Sequence, residues 1–166
     1  MAKGGGAVRM AGKATKTAVI TGGAGGLGLA LEAGLRQAGW STIVIDLPGP
    51  ALEALPDLEG RCCYGCDLTD SDAMRALCAQ IRQASPSIDL VIYNAGITWI
   101  GACQDLGAEA HRKVFDINYF AAVGMAQALQ EEVRRAGGTH LAISSVAGFS
   151  PLFHRTAYAA SKHALE

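Results

Sequence analysis

Thr17-Ala-Val-Ile-Thr-Gly-Gly-Ala-Gly-Gly-Leu-Gly28 joins a short apolar run to a cluster of glycines. Thr17 to Thr21 is β-branched and apolar on both faces, the pattern of a strand covered by helices on either side. Residues Leu27 to Ala38 then carry apolar side chains at helical spacing. Glycines between a strand and a helix let the backbone turn tightly and approach a pyrophosphate, which the free N–H groups of the helix N-terminus hold. Gly22, Gly25, Gly26, Leu27 and Gly28 are therefore candidate dinucleotide-binding positions. In a chain with 21 glycines the pattern alone says little. Its place between strand and helix gives it weight.

Outward from this stretch the chain repeats the alternation. Thr42 to Leu47, Arg61 to Cys66, Asp89 to Tyr93 and His140 to Ser144 are strand-like and apolar on both faces for most of their length. Ser71 to Ala84, and a long stretch from about Ala108 to Arg135, have helical periodicity. Ser71 followed by Asp72 suits a helix start, and Gly137-Gly138 suits a stop. Alternating strands and helices predict βαβ units with right-handed crossovers, hence an α/β fold with a doubly wound parallel sheet of five strands. Met1 to Lys16, without apolar period or signal-peptide core, reads as a flexible tail. Residues 17–166 read as one dinucleotide-binding domain.

Asp46 closes the second strand, eighteen residues after Gly28. A carboxylate there accepts hydrogen bonds from both adenosine ribose hydroxyls and repels a 2′-phosphate, which favours NAD over NADP. No Arg or Lys stands inside the glycine turn or just after Asp46 to reverse that preference. The bland alternative is a strand-end Asp capping a loop.

Near the chain's end, Tyr158 and Lys162 stand four residues apart in Tyr-Ala-Ala-Ser-Lys. On a helix, positions i and i+4 share a face, so an ammonium beside the phenol favours its ionised form. An isolated tyrosine, with pKa about 10, is a poor acid or base at neutral pH. A cation held close brings it toward the range that general acid/base catalysis needs. The same spacing also fits a plain amphipathic face.

Composition bounds the rest. A chain of 166 residues, half of them hydrophobic and 17% charged, is globular and large enough for a substantial core. The formal net charge of −1, with Lys and Arg scattered, offers no footprint for nucleic acid. Five cysteines without a secretory segment read as free thiols. Cys63 and Cys66, three apart, point to opposite faces of a strand, so no metal or redox site is expected there. No apolar run is long enough for a membrane span. A soluble, cytoplasmic protein is expected.

Taken together, these motifs resemble the short-chain dehydrogenase/reductase family from Thr17 to Glu166. The glycine turn fits the family's TGxxxGxG through Gly22, Gly26 and Gly28. It equally fits the TGxxGxxG of the extended members through Gly22, Gly25 and Gly28. Asn94-Ala95-Gly96 looks like the NAG motif of the non-extended members, which steadies the sheet and lines the adenosine ribose. Asp67-Leu68 looks like the pair that contacts the adenine ring. Ser145 lies at the family's usual thirteen residues before Tyr158, with Ser144 one step out of register, and Asn118 falls where the family places the asparagine of its proton relay.

The resemblance implies hydride transfer between the nicotinamide and a carbinol or carbonyl carbon. Tyr158 would exchange the hydroxyl proton, Lys162 would lower its pKa and hold the nicotinamide ribose, Ser145 would bond the substrate oxygen, and Asn118 would place a water beside Lys162. On spacing alone, Ser145 equally ends a strand and Asn118 equally serves as a buried polar group of a helix. The family's later strands and substrate lid have no counterpart before Glu166, so the chain is expected to be a fragment, its fifth strand a sheet edge and Lys162 close to a fraying helix end. The alternatives are a truncated, weakly active relative, a binding module without catalysis, and an epimerase or dehydratase of the extended group, against which Asn94-Ala-Gly96 argues. The substrate is expected to be a hydrophobic or modestly polar secondary alcohol or ketone, bordered by Phe149 to Arg155, Trp99 and Ile100. Relatives' dimers and tetramers suggest a homo-oligomer through Phe120, Val123, Met125 and Leu129, positions that equally fit a core.

Overall fold

The computed structural model describes residues 16–166. Apart from Lys16, the expected tail lies outside the described residues. Five parallel strands, β1 (Thr17–Thr21), β2 (Ser41–Asp46), β3 (Arg61–Gly65), β4 (Leu90–Tyr93) and β5 (Thr139–Ala142), form one sheet in the order β3-β2-β1-β4-β5. The register pairs Val19 with both Ile43 and Val91, so β1 sits at the centre, and the chain reverses its winding direction between β1 and β4. In such a sheet ligands bind outside the carboxyl ends of the strands at that switch point.

Side-chain alternation sends the two faces of the central strands to different partners. Val19, Ile43, Ile45 and Val91 pack with Met74, Leu77, Cys78 and Ile81 of α3 (Ser71–Ala84) and with Met125, Leu129 and Val133 of α5 (Ala121–Ala136). Each such side chain contributes about 1.5–3 kcal/mol when fully buried. Ala18, Ile20, Val44 and Ile92 are buried toward the opposite face, where α1 (Gly26–Gln37) packs on β1 and β2. Only β1, β2 and β4 are mostly buried; β3 is half-exposed and all four residues of β5 are exposed. The expectation of strands covered on both faces therefore fails at the two edges, each having one neighbour.

At the β3 edge a buried ion pair ties the sheet to α1. Arg61 Nη2 donates to Glu32 Oε2 at 2.6 Å, its Nε to Glu32 Oε1 at 2.9 Å, and Thr42 Oγ1 adds a third bond at 3.0 Å. Burial pushes the Glu32 carboxyl up, and the bonds from Arg61 and Thr42 together with the Arg61 and Arg36 charges outweigh it, leaving the group below its usual range.

The long helix expected from Ala108 to Arg135 is not continuous. It runs as α4 (Ala108–Phe115), a π turn over Asp116–Phe120, and α5. Ala121 N donates to Asp116 O, the i→i−5 bond that inserts one residue and rotates the following helix face. Asp70, not Ser71, caps α3, accepting from Asp72 N and Ala73 N. Gly137, in the left-handed region at φ 61, ends α5 as the sequence indicates. A one-turn helix, α2 (Pro50–Glu53), and two short 3-10 turns complete the fold before α6 (Thr156–His163). Met125 and Leu129 lie fully inside the core, Val123 is half-buried and Phe120 is exposed, so of the four oligomer candidates two are committed to packing. Among the described residues no helix is long and apolar enough to cross a membrane.

Candidate active site

The turn after β1 is shaped by what packs against it. Gly22 has φ +63, and a Cβ there would lie 2.8 Å from Ala95 Cα. A Cβ on Gly28 would lie 2.2 Å from Gly22 O, so only glycine lets α1 close onto the turn. Gly26 has open space around it, and Gly25 only an ordinary contact with Gly22 O at 3.5 Å, so neither is forced by packing. Both line the groove above the turn.

Three anchors fix the turn. Asp46 Oδ2 accepts from Ala24 N and Oδ1 from Leu47 N, each at 2.8 Å. Asn94 Nδ2 donates to Gly22 O at 2.9 Å. Thr21 Oγ1 accepts from Asn94 N at 3.1 Å and from Ala95 N at 3.0 Å, joining β1 to the segment after β4. Thr21 was read only as part of a strand; its side chain is a clamp.

A groove of about 420 Å³ opens over this turn. Gly22, Gly25, Gly26, Leu27, Asp46, Asp67, Leu68, Asn94, Ala95 and Gly96 all line it. Gly28 does not, because its place is under the turn. The groove also takes in Leu47, Cys66, Thr69, Ile97, Lys113 and Ile117, which sequence reasoning did not select. Lys113 and Ile117 stand four apart on one side of the helical segment, a signal that periodicity could have supplied. Asp67 Oδ1 accepts from Thr69 N at 2.9 Å and Thr69 Oγ1 at 2.7 Å, bonds that, with the nearby Lys113 charge, hold its carboxyl below the usual range. The first N–H groups of α1, which a helix leaves without intrahelical acceptors, lie at the same groove through Gly26 and Leu27. A glycine floor, free helix N–H groups and a carboxylate at the strand end fit a dinucleotide.

At the other end of the groove, Gly96 meets a second cluster. The Cβ position on Gly96 lies 3.2 Å from Asn118 Oδ1 and 3.7 Å from Lys162 Nζ. Asn118, in the π turn and 2% exposed, accepts from Ile97 N at 2.8 Å and donates to Ile97 O at 3.0 Å and to Ser161 Oγ at 2.9 Å. Lys162, 4% exposed, donates from Nζ to Ile143 O at 2.6 Å, with the ring centre of Tyr158 at 5.8 Å. Burial pulls the Lys162 ammonium below its usual value. Tyr158 and Lys162 thus share a helix face as expected, with the lysine bonded to the end of the β5 segment rather than to the phenol.

Ser145 Oγ accepts from Ala147 N at 3.2 Å and so starts the short turn after β5. Its neighbour Ser144 has a buried Oγ without a hydrogen-bond partner among the described residues. Arg155 Nη1 donates to Thr98 Oγ1 at 2.6 Å and Gly101 N to His154 O at 3.1 Å, tying the 149–155 loop to the segment after β4. Trp99, Ile100, Phe149, Leu152 and Phe153 are exposed on these two segments, as is His154. All five cysteines are free thiols, and among the described residues no His, Cys, Asp and Glu side chains gather as a metal-binding group.

The sequence profile of short chain dehydrogenase matches residues 16–166. Dehydrogenase/reductase SDR family member 7B of Bos taurus is 34% identical over 160 residues, covering 89% of this chain and 49% of that protein. The NADPH-dependent 1-acyldihydroxyacetone phosphate reductase of Schizosaccharomyces pombe is 31% identical over 155 residues, with 92% and 52% coverage. Among solved structures, 4-hydroxyisoleucine dehydrogenase complexed with NADH superposes with a TM-score of 0.81 at 27% identity, covering 91% of this chain and 65% of the other. The chain belongs to the short-chain dehydrogenase/reductase family. It spans about half the length of the curated relatives it matches.

Proposed function

We propose that the protein is an oxidoreductase that transfers a hydride between NAD(H) and a secondary alcohol or ketone, with Tyr158 as the acid/base group. The observation that carries this reading is the meeting at Gly96. There the dinucleotide groove ends against Asn118 and Lys162, with the Tyr158 ring beside the lysine. Bound nicotinamide supplies the hydride acceptor or donor. Tyr158 takes the hydroxyl proton as the hydride leaves the carbon, and returns it in the reverse direction. Lys162, buried and donating to Ile143 O, keeps a positive charge beside the phenol and has further N–H donors for a ribose hydroxyl. Ser145 orients the substrate oxygen. Asn118 holds the Ile97 backbone and so the groove end beside the lysine.

The preference for NAD rests on Asp46. Each of its oxygens accepts one backbone N–H, which fixes the carboxylate and leaves lone pairs for ribose hydroxyls. A 2′-phosphate would face that charge, and the next residue, Leu47, offers no compensating cation. One relative is named as NADPH-dependent and one structural neighbour holds NADH, so the preference proposed for this chain rests on Asp46 alone.

The test uses the complete protein. NADH and NADPH affinities are measured by fluorescence titration, and NADH formation is followed with a panel of apolar secondary alcohols for the protein and its Tyr158→Phe variant. We expect tighter NADH binding, and a loss of about 10²–10⁴ in kcat without the phenol. Equal rates in the two proteins remove Tyr158 from its role, and NADH binding with no turnover supports a binding module instead.

A further inference from the structure

We infer that Ser161 is a positioning residue for the acid/base pair, coupling the helix that carries Tyr158 and Lys162 to the groove that holds the dinucleotide. This rests on the reading of Tyr158 and Lys162 given above. Ser161 is fully buried, and its hydroxyl is used in both directions. The oxygen accepts from Asn118 Nδ2 at 2.9 Å, and the hydroxyl proton is donated to the Tyr158 carbonyl at 2.8 Å. Asn118 in turn holds both the N–H and the carbonyl of Ile97, which lines the groove. An unbroken line of hydrogen bonds therefore runs from the groove wall through the π turn to the backbone of the tyrosine.

The line fixes more than one atom. Asn118 accepts once and donates twice, so its amide plane is fully determined by Ile97 and Ser161. Without the serine, one amide proton of a buried asparagine loses an acceptor, and the plane is held from the groove side alone. Asn118 Oδ1 and Lys162 Nζ both approach the Gly96 Cβ position, so the amide and the ammonium flank the same glycine and the amide's orientation shapes the corner that the ammonium occupies. Lys162 is the next residue after Ser161 on α6, and the serine's second bond, to the carbonyl three residues back, holds that helical turn. A hydroxyl at this position serves an i−3 acceptor at little entropic cost, which is why serine or threonine suits it and alanine does not.

The experiment measures kcat, KM and the kcat–pH profile of the complete protein with an alcohol it oxidises, for Ser161→Ala, Ser161→Thr, Asn118→Ala and the Ser161→Ala/Asn118→Ala pair. Melting temperatures are recorded alongside. The expected result is a loss of about tenfold in kcat for Ser161→Ala, with KM for NAD changed less than about twofold and the pH profile displaced, as a lost orienting hydrogen bond does. Threonine restores most of the rate. The double variant is no slower than Asn118→Ala, because the two side chains act in series. Unchanged kcat and pH profile in Ser161→Ala, even with a lowered melting temperature, overturn the inference, as do losses that multiply in the double variant. Equal rates for Tyr158→Phe and the unaltered protein overturn the reading beneath it as well.

Discussion

The two ends of the sheet are built on opposite terms. The side formed by β1, β2 and β3 is closed by backbone geometry and one buried ion pair: glycines at a turn, a strand-end carboxylate bonded to backbone N–H groups, and a Glu32–Arg61 pair that clips α1 to the edge strand. The side formed by β4, β5 and α6 is joined by uncharged side-chain hydrogen bonds and one buried ammonium. Asn118 reaches back 21 residues to Ile97 and forward 43 to Ser161, and Lys162 reaches 19 back to Ile143. Its edge strand β5 carries no buried residue, and Leu141 is 41% exposed. The glycine-turn half has an ion-pair lock of its own and is tied to the rest through Asn94 and Thr21; the half around Tyr158 and Lys162 is a network of side chains on separate elements.

Substitutions at both ends break or sharpen this contrast. The largest effect is expected from Glu32→Ala, which leaves the Arg61 guanidinium buried without its partner and costs about 3–5 kcal/mol, read by urea denaturation. A cost below about 1 kcal/mol would show that the lock is ornamental. Next is Gly28→Ala. The added methyl meets Gly22 O, so we expect about 1–3 kcal/mol of lost stability and NADH binding weakened by at least tenfold in titration. Binding that survives intact would mean the turn can shift freely.

On the other side the effects are smaller and depend on pH. Lys162 has its value pulled below the ordinary 10.5 by burial, so the folded state resists the charge. Below the folded value the lysine is charged in both states and the full penalty applies; as pH climbs toward 10.5 the unfolded chain binds more protons and the penalty fades. Lys162→Met should therefore melt higher than the unaltered protein at pH 7, with the gap narrowing by pH 10. A gap that stays constant would assign the difference to packing. The smallest effect is expected at His140, which stacks on Tyr93 with Nδ1 2.7 Å from the phenol oxygen. Although the residue as a whole is exposed, partial desolvation of its ring lowers His140 below 6.5, so the stability it allows is present above that value and declines as pH falls through the folded one. His140→Phe should flatten the loss of melting temperature between pH 7 and 5.

Legibility in the sequence follows the same division. Strands β1 to β3 are within a residue of expectation, and Gly22, Asp46 and Asn94 line one groove, because a turn, a strand end and a loop start are local events. What escaped needs three dimensions. The π turn adds one residue to an otherwise regular apolar pattern, too little to disturb periodicity, yet it turns Asn118 inward. Ser161 carries no mark in the sequence beyond its place beside Lys162. The exposure of β3 is equally silent, since only the order of pairing makes it an edge, whereas the edge position of β5 is expected from the family resemblance.

That order of pairing also sets a timetable. β1 pairs with β2, and β2 with β3, across short connections, so these three strands can meet while the rest of the chain is still unstructured. The β1–β4 pairing, sealed where Thr17 N meets the Asp89 carboxylate, spans 72 residues and must wait for a much larger loop to close. A chain emerging from the ribosome would thus pair its first three strands early, anchor the glycine turn only when Asn94 arrives behind β4, and form the corner around Tyr158 and Lys162 after that.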